Sequence, residues 1–505
     1  MSLRPLLALA LCASALAPAC GRGAEPAAGP RPNVLWIVWD TVRADRLSLY
    51  GHGRPTTPFL EEWARGARTF ENCVSTAGST VPSHASMFTG LLPSEHGTTN
   101  ADRHLDGGHV TAAERFRAAG YRTYLWAANP HISAAHQFTQ GFDREEHPWD
   151  ERFEEEAVRI LRAKLDPSDA SSELPGRLRG DARLRTWDVK AAGALAQRGL
   201  LEFLGEDPGR PFFAFLNYME AHRPFVPSAE HRRRVMSPDQ VERSYAVDRS
   251  WETLWRYTFG LHEYSAEELE VMALTYEATL AELDDLFRDL IGALERGGYL
   301  EDTIVVLTSD HGEHLGEHHM LDHQYSLYEG LVRVPLVLSY PGRVPPGRET
   351  RPVANHDVLP TLLELADLPL GEGRPPSSRS LLAPLDERPR LAEHLAQYPG
   401  PIKTVVELHP DFDPDPFQRQ LRAYYEGPLK LIWSSDGRHE LYDLSRGHDE
   451  REDLASQRPE ETRRLVDALE ALVDGLEPHR HSEEGAAAMT EAQRRRLRAV
   501  GYFDD

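Results

Sequence analysis

The sequence predicts an α/β protein: a mostly parallel central sheet flanked by helices, with a small antiparallel sheet subdomain near the C-terminus. Three observations predict it. Continuous apolar runs, which mark strands buried on both faces, recur along the chain. Helical patterns separate them, as in successive βαβ units. Late in the chain, 429–433 (LKLIW) and 440–443 (ELYD) flank Ser434-Ser435-Asp436-Gly437, a hairpin signal.

The 505 residues suffice for one large domain with an appendage, and the net charge of −24 argues against a nucleic-acid partner. An anionic substrate must therefore be attracted locally. Residues 1–20 carry one early arginine, a short apolar run and then small residues, the pattern of a secretory signal too short to span a bilayer. Cys20 follows Leu16-Ala17-Pro18-Ala19 and precedes Gly21, which is similar to a lipoprotein signal with a lipidated cysteine; ordinary cleavage nearby is the alternative. The expectation is an exported protein, periplasmic or at the cell surface, touching a membrane only through that anchor. Residues 21–32 then read as a linker. After processing, Cys73 stands alone, so no internal disulfide forms.

The first apolar run, 33–39 (NVLWIVW), ends in Asp40. Next comes the hydroxyl-rich stretch 75–90 (STAGSTVPSHASMFTG), read as a short helix with Pro82 at its first position, Thr80 or Val81 as cap and Gly90 past its end. The run 121–128 leads to Asn129 and His131, 211–218 leads to His222, and 303–309 leads to Asp310-His311; 334–339 is a fifth run. The longest helical pattern is 265–297, with Leu280, Leu283, Phe287, Leu290 and Leu294 at helical spacing. In such sheets ligands bind beyond the carboxyl ends of the strands, where four of these runs place polar groups. Residues 145–195 and 228–262 read as insertions, 371–380 as a linker and 459–475 as a helix. The domain plan is a catalytic domain at 33–375, a C-terminal subdomain at 376–480 and a polar tail at 481–505.

Asp40 and Asp310 offer hard oxygens and His311 a nitrogen. Such a mixture suits a divalent ion of the Mn, Zn, Mg group, with Ca, which favours all-oxygen shells, as a further candidate. The ion would polarise an ester oxygen and activate a nucleophile. Thr80, at a helix N-terminus where anions are welcome, is the right kind of group for that role. Each aspartate alone has a plain structural reading, as the cap of the turn after its strand.

Taken in order, the motifs resemble the sulfatase family of the alkaline phosphatase superfamily. They are Asp40-Thr41-Val42-Arg43-Ala44-Asp45, Thr80-Val81-Pro82-Ser83-His84 with Thr89-Gly90, Ala119-Gly120-Tyr121-Arg122-Thr123, and His222-Arg223-Pro224-Phe225. Further on come Ser309-Asp310-His311-Gly312-Glu313, Tyr328-Glu329, Asp357-Val358-Leu359-Pro360 and Glu440-Leu441-Tyr442-Asp443-Leu444. The resemblance, over roughly residues 33–470, implies the family's fold. It also implies one metal bound by Asp40, Thr80, Asp310 and His311, with room for a second, and catalytic or substrate contacts from His222, His323, His84 and Asn129. His222 and His323 would contact the anionic oxygens, protonate the leaving group or hold a second metal. For each histidine the bland alternative is a satisfied structural side chain.

Five departures stand out. The family's second consecutive aspartate is Thr41, its motif arginine is His84, and two expected lysines appear as Asn129 and His323. The nucleophile position holds Thr80, which cannot be converted to formylglycine as cysteine or serine can. These changes resemble the threonine-type branch of phosphodiesterases, phosphonate hydrolases and headgroup transferases. The expected function is metal-dependent hydrolysis of phosphate or sulfate esters through a covalent threonine, with phosphoester favoured. The substrate would be a phosphorylated or sulfated small molecule, lipid or glycan. A true sulfuric ester hydrolase, a phosphoryl-headgroup transferase and a non-catalytic lipoprotein binding an anionic glycan are the alternatives.

Overall fold

A computed structural model describes residues 31–164, 187–370, 377–384, 388–479 and 490–499. The signal and linker readings at 1–30, the middle of the first insertion, residues 371–376 of the second linker and parts of the tail lie outside the described residues. Strands are numbered in chain order: β1 (Asn33–Trp39), β2 (Arg68–Val74), β3 (Arg122–Ala127), β4 (Arg144–Glu146) and β5 (Phe212–Tyr218). There follow β6 (Thr303–Thr308), β7 (His314–Leu315), β8 (Leu321–Asp322), β9 (Arg333–Ser339) and β10 (Gly347–Ala354). The last four are β11 (Arg390–His394), β12 (Leu421–Glu426), β13 (Leu429–Ser434) and β14 (Glu440–Asp443).

The central sheet runs β10-β2-β9-β6-β1-β5-β3-β4, and β9 alone lies antiparallel to its neighbours. The second sheet, β11-β12-β13-β14, is antiparallel throughout and contains the hairpin expected from the sequence. Alternation along β1 explains how the sheet is held. Leu35, Ile37 and Trp39 pack with Leu280, Leu283 and Phe287 on one face. Val34, Trp36 and Val38 pack with Val81, Phe88, Leu359 and Leu362 on the other. Burial of each such side chain contributes about 1.5–3 kcal/mol.

The long helix Ala266–Arg296 begins at a capping box: the Ser265 hydroxyl accepts from the Glu268 amide at 3.2 Å, and the Glu268 carboxylate accepts from the Ser265 amide at 2.8 Å. The hydroxyl-rich helix spans Thr80–Thr89, with Ser79 as its extended N-cap and Gly90 in the left-handed conformation (φ 73°) at its end. Gly90 falls where the sequence puts it. Pro82 does not, because the helix starts two residues earlier, which places Pro82 third. The first turn tolerates proline there, since its amides have no intrahelical acceptor to lose. No helix among the described residues is long and apolar enough to cross a membrane.

Candidate active site

The sheet's register builds the site. Val38 pairs with Thr308, so Asp40 and Asp310, each two residues further on, face one another beyond the carboxyl edge. Val38 also pairs with Asn217 of β5, and Asn217 with Ala127 of β3, which brings Asn129 to the same place. Asp40 Oδ2 accepts from Asn129 Nδ2 at 2.9 Å and from Asn217 Nδ2 at 3.0 Å. Asp310 Oδ1 accepts the main-chain N–H groups of Thr41 (3.1 Å) and His311 (2.9 Å). The other oxygen of each acid, Asp40 Oδ1 and Asp310 Oδ2, has no hydrogen-bond donor. Both side chains are wholly buried. Burial, and then the charge of Asp310, pushes the Asp40 pKa up to about 6; burial takes Asp310 to about 6 as well, against the pull of the Thr41 and His311 amides.

His311 donates from Nδ1 to the Gly312 carbonyl at 2.9 Å, which leaves the Nε2 lone pair facing the acids. Nε2 lies 3.3 Å from Asp310 Oδ2 and 3.3 Å from the Thr80 hydroxyl. Burial depresses the ring's pKa to about 3, so it stays neutral. The ligand atoms of Asp40, Asp310 and His311 all lie within 4.8 Å of one another. Two carboxylate oxygens without donors and an imidazole lone pair, with no arginine or lysine among the described residues hydrogen-bonded to either acid, fit a divalent cation.

Thr80 is the first residue of its helix, so its hydroxyl stands at the positive end of the helix dipole. Asn129 Nδ2 is 3.4 Å from Thr80 Oγ1, linking the hydroxyl to the same amide that holds Asp40. His84, one turn on, donates from Nδ1 to the Thr80 carbonyl at 2.9 Å and lies 3.6 Å from Asp310 Oδ2. Its ring packs edge-on against Phe88 and Phe215, and burial lowers its pKa to about 3. His84 thus holds the main chain of Thr80.

His222 and His323 complete a run of imidazoles. The rings of His311 and His323 are 4.7 Å apart, and those of His323 and His222 are 4.9 Å apart. His222 donates from Nδ1 to the Arg223 carbonyl at 2.5 Å, and burial holds its pKa well below the usual range. His323 differs. Burial alone would depress it, but Asp322 at 2.8 Å and Glu313 at 3.5 Å outweigh that and push its pKa up to about 10. It stands at the position where the resemblance leads one to expect a lysine. Asp322 is itself held by Arg223 at 2.8 Å and by the Trp255 indole at 3.0 Å. Glu313, Asp322 and His323 form a second set whose ligand atoms lie within 4.8 Å of one another.

The structure adds residues that the motifs did not single out. Asn217 holds Asp40, and a polar residue inside the apolar run FFAFLNY was its available signal. Ser75 and Ser83 both donate to the Asp310 carbonyl, Ser83 at 2.8 Å, while Asn355 donates to Ser83 at 3.0 Å. Lys190, in the turn Asp188–Ala191, is buried behind His222; nothing in its charged sequence neighbourhood marks it out.

Fold and site together define an α/β ester-hydrolysing enzyme whose sheet edge carries an Asp-Asp-His set fit for a divalent cation. More particularly, the sulfatase family model matches residues 32–368, and the chain belongs to that family. It is 28% identical to the multifunctional alkaline phosphatase superfamily protein PehA of Trinickia caryophylli, over 76% of this chain and 80% of that one. It is 26% identical to an N-acetylglucosamine-6-O-sulfatase of Bacteroides thetaiotaomicron, over 73% and 75% of the two chains. The fold is shared with the phosphonate monoester hydrolase of Silicibacter pomeroyi (TM-score 0.67, 22% identity, 91% of this chain and 99% of that one).

Proposed function

We propose that the protein hydrolyses phosphate esters in preference to sulfate esters, with Thr80 as the covalent nucleophile. One observation carries the reading: the Thr80 hydroxyl stands 3.3 Å from His311 Nε2 at a helix N-terminus, beside the unsatisfied oxygens of Asp40 and Asp310. A divalent ion held by Asp40, Asp310, His311 and Thr80 would supply Lewis acidity and lower the pKa of the hydroxyl. The chain's own groups do the rest. Asn129 orients Thr80 and Asp40 together. As the Thr80 oxygen attacks phosphorus and the bond to the leaving oxygen breaks, the hydroxyl proton passes to a neighbouring imidazole, with His222 favoured because it is held neutral, and the imidazolium so formed gives that proton to the leaving oxygen. His323, held as a cation by Asp322 and Glu313, draws in the anionic ester oxygens. Water then cleaves the phosphothreonine and restores the hydroxyl.

The preference for phosphorus rests on chemistry. A sulfated formylglycine expels sulfate through its second hydroxyl, and a sulfated threonine has no such exit. A phosphothreonine is open to attack by water at phosphorus. The named activity of the Bacteroides relative keeps sulfate esters of sugars as the second reading. We place the enzyme outside the cytoplasm, held by a lipid on Cys20, on the sequence pattern alone.

Thr80→Ala should lower kcat by about 10⁴-fold or more, with unchanged circular dichroism. A rapid quench with bis-p-nitrophenyl phosphate, followed by mass analysis, should find one p-nitrophenylphosphoryl group on the peptide containing Thr80. Full activity in the alanine variant, or faster turnover of p-nitrophenyl sulfate than of any phosphate ester, would overturn the proposal.

A further inference from the structure

Lys190 is 1% exposed, yet no carboxylate lies within ion-pairing distance of it among the described residues. Its ammonium donates instead to two main-chain carbonyls, those of Met219 (2.8 Å) and His222. Both belong to the loop that leaves β5 and carries the His222 imidazole. A buried charge with only carbonyl partners is expensive, and an apolar side chain of the same volume would serve the fold better. The carboxylates that act on it from further off are Glu220, Asp40 and Glu313, and two of these belong to the catalytic rim. Against their pull, burial takes the Lys190 pKa down to about 7.

The turn that carries Lys190 is anchored with equal care. Asp188, two residues earlier and wholly buried, receives Arg496 of the C-terminal helix Glu491–Ala499 at 3.0 Å. The Lys164 ammonium donates to the Lys190 carbonyl at 2.5 Å. These contacts fix the backbone from which the Lys190 side chain reaches inward. Position 129, where the resemblance leads one to expect a lysine, holds a neutral amide that is fully engaged with Asp40 and Thr80.

We propose that Lys190 is a positioning residue of the active site: its terminal amine, brought in from an insertion, clamps the Met219 and His222 carbonyls and so fixes the His222 imidazole. The inference rests on the hydrolase reading above. It assigns the insertion between β4 and β5 a part in catalysis and makes the C-terminal helix a remote support of the site.

The test uses the full-length, Mn-loaded protein with bis-p-nitrophenyl phosphate, p-nitrophenyl phosphate and p-nitrophenyl sulfate. Lys190→Met keeps the volume of the stem and removes the charge. It should lower kcat by about 100-fold, the scale of a misplaced catalytic group, with KM within about threefold of wild type. Lys190→Ala should regain activity with added propylammonium and not with propanol, which fills the same space without charge. Equal rescue by both, a Met variant with the wild-type kcat, or a Met variant that does not fold would overturn the proposal. Wild-type protein inactive on all three esters would count against the hydrolase reading instead. Calorimetry with orthovanadate then decides for Lys190, since the Met variant should bind that anion about tenfold more weakly than wild type, and equal binding overturns the inference.

Discussion

Two buried charge clusters of the molecule are built oppositely. At the candidate active-site rim, Asp40 and Asp310 face each other with no cationic side chain among the described residues hydrogen-bonded to either, and each keeps one oxygen without a donor. At the seam with the C-terminal sheet, Glu329 and Glu450 also lie close together, but Lys430 stands between them, at 3.0 Å from one and 2.6 Å from the other. Tyr425 and His448 donate to Glu329 as well, at 2.8 and 3.0 Å. A cavity of about 660 Å³ opens at this seam, lined by Arg43, Glu317, Tyr328, Glu329 and Arg451 among others, and not at the catalytic rim. The seam carries its own cation and is a structural joint. The rim has the acceptors without a cationic side chain among the described residues, which is what supports the metal site proposed there.

The comparison breaks first at Asp310. Asp310→Asn should reduce kcat by about 10⁴-fold, the scale on which losing one member of a catalytic unit registers. Its metal-free form should melt no lower than metal-free wild type, because the change removes a buried charge that opposes Asp40. A clear drop in the melting temperature of the metal-free variant would show that Asp310 is a structural acid, like those of the seam.

Lys430→Met is the converse test. It strips the cation from two buried carboxylates and should destabilise the protein by about 3–5 kcal/mol in urea titrations. Below the unfolding transition, kcat should remain near wild type. A selective loss of kcat in the folded variant would join the seam to the chemistry and erase the distinction.

Chelation sharpens the contrast by a smaller amount. An ion present at a hundredfold excess over its Kd stabilises the native state by about 2.7 kcal/mol. Removing it should cost wild type that much and leave Asp310→Asn unchanged. An equal loss in both proteins would put the ion elsewhere, with the set of Glu313, Asp322 and His323 as the first place to look.

How far each cluster could be read from the sequence follows the same division. Asp40, Asp310 and His311 end long apolar runs, and a parallel sheet gathers strand ends at one edge, so local pattern and topology agree there. Thr80 was legible through Pro82 and Gly90, although the helix begins earlier than the proline suggests, because the first turn accepts proline at more than one position. Several strands were not legible in the sequence, β2 and β10 of the central sheet among them. RTFENCV mixes polar with apolar residues, and GRETRPVA lies at the sheet's edge with one side open to solvent. The seam was illegible because Glu329, Lys430 and Glu450 are about 100 residues apart or more across part of the set, and no periodic pattern encodes their meeting. Lys190 shares that fate: its partners are carbonyls, which leave no trace in side-chain identity.

Thr41 gives the finest test of how the rim is held. A β-branched residue at φ 61° is strained, and this one stands where the resemblance leads one to expect a second aspartate. The strain turns its amide toward Asp310 Oδ1 at 3.1 Å, while its carbonyl accepts the Tyr276 hydroxyl at 2.9 Å and its own hydroxyl donates to the Asp40 carbonyl at 2.7 Å. Thr41→Gly keeps the amide and relieves roughly 1–2 kcal/mol of left-handed strain. It also gives up the hydroxyl's bond and adds chain entropy to the unfolded state, so the net change in stability should stay within about 1 kcal/mol. Because the amide is what reaches Asp310, kcat should stay within about threefold of wild type. A tenfold fall in kcat at unchanged stability would mean that the hydroxyl's grip on the Asp40 backbone, and not the amide's on Asp310, sets the spacing of the two acids.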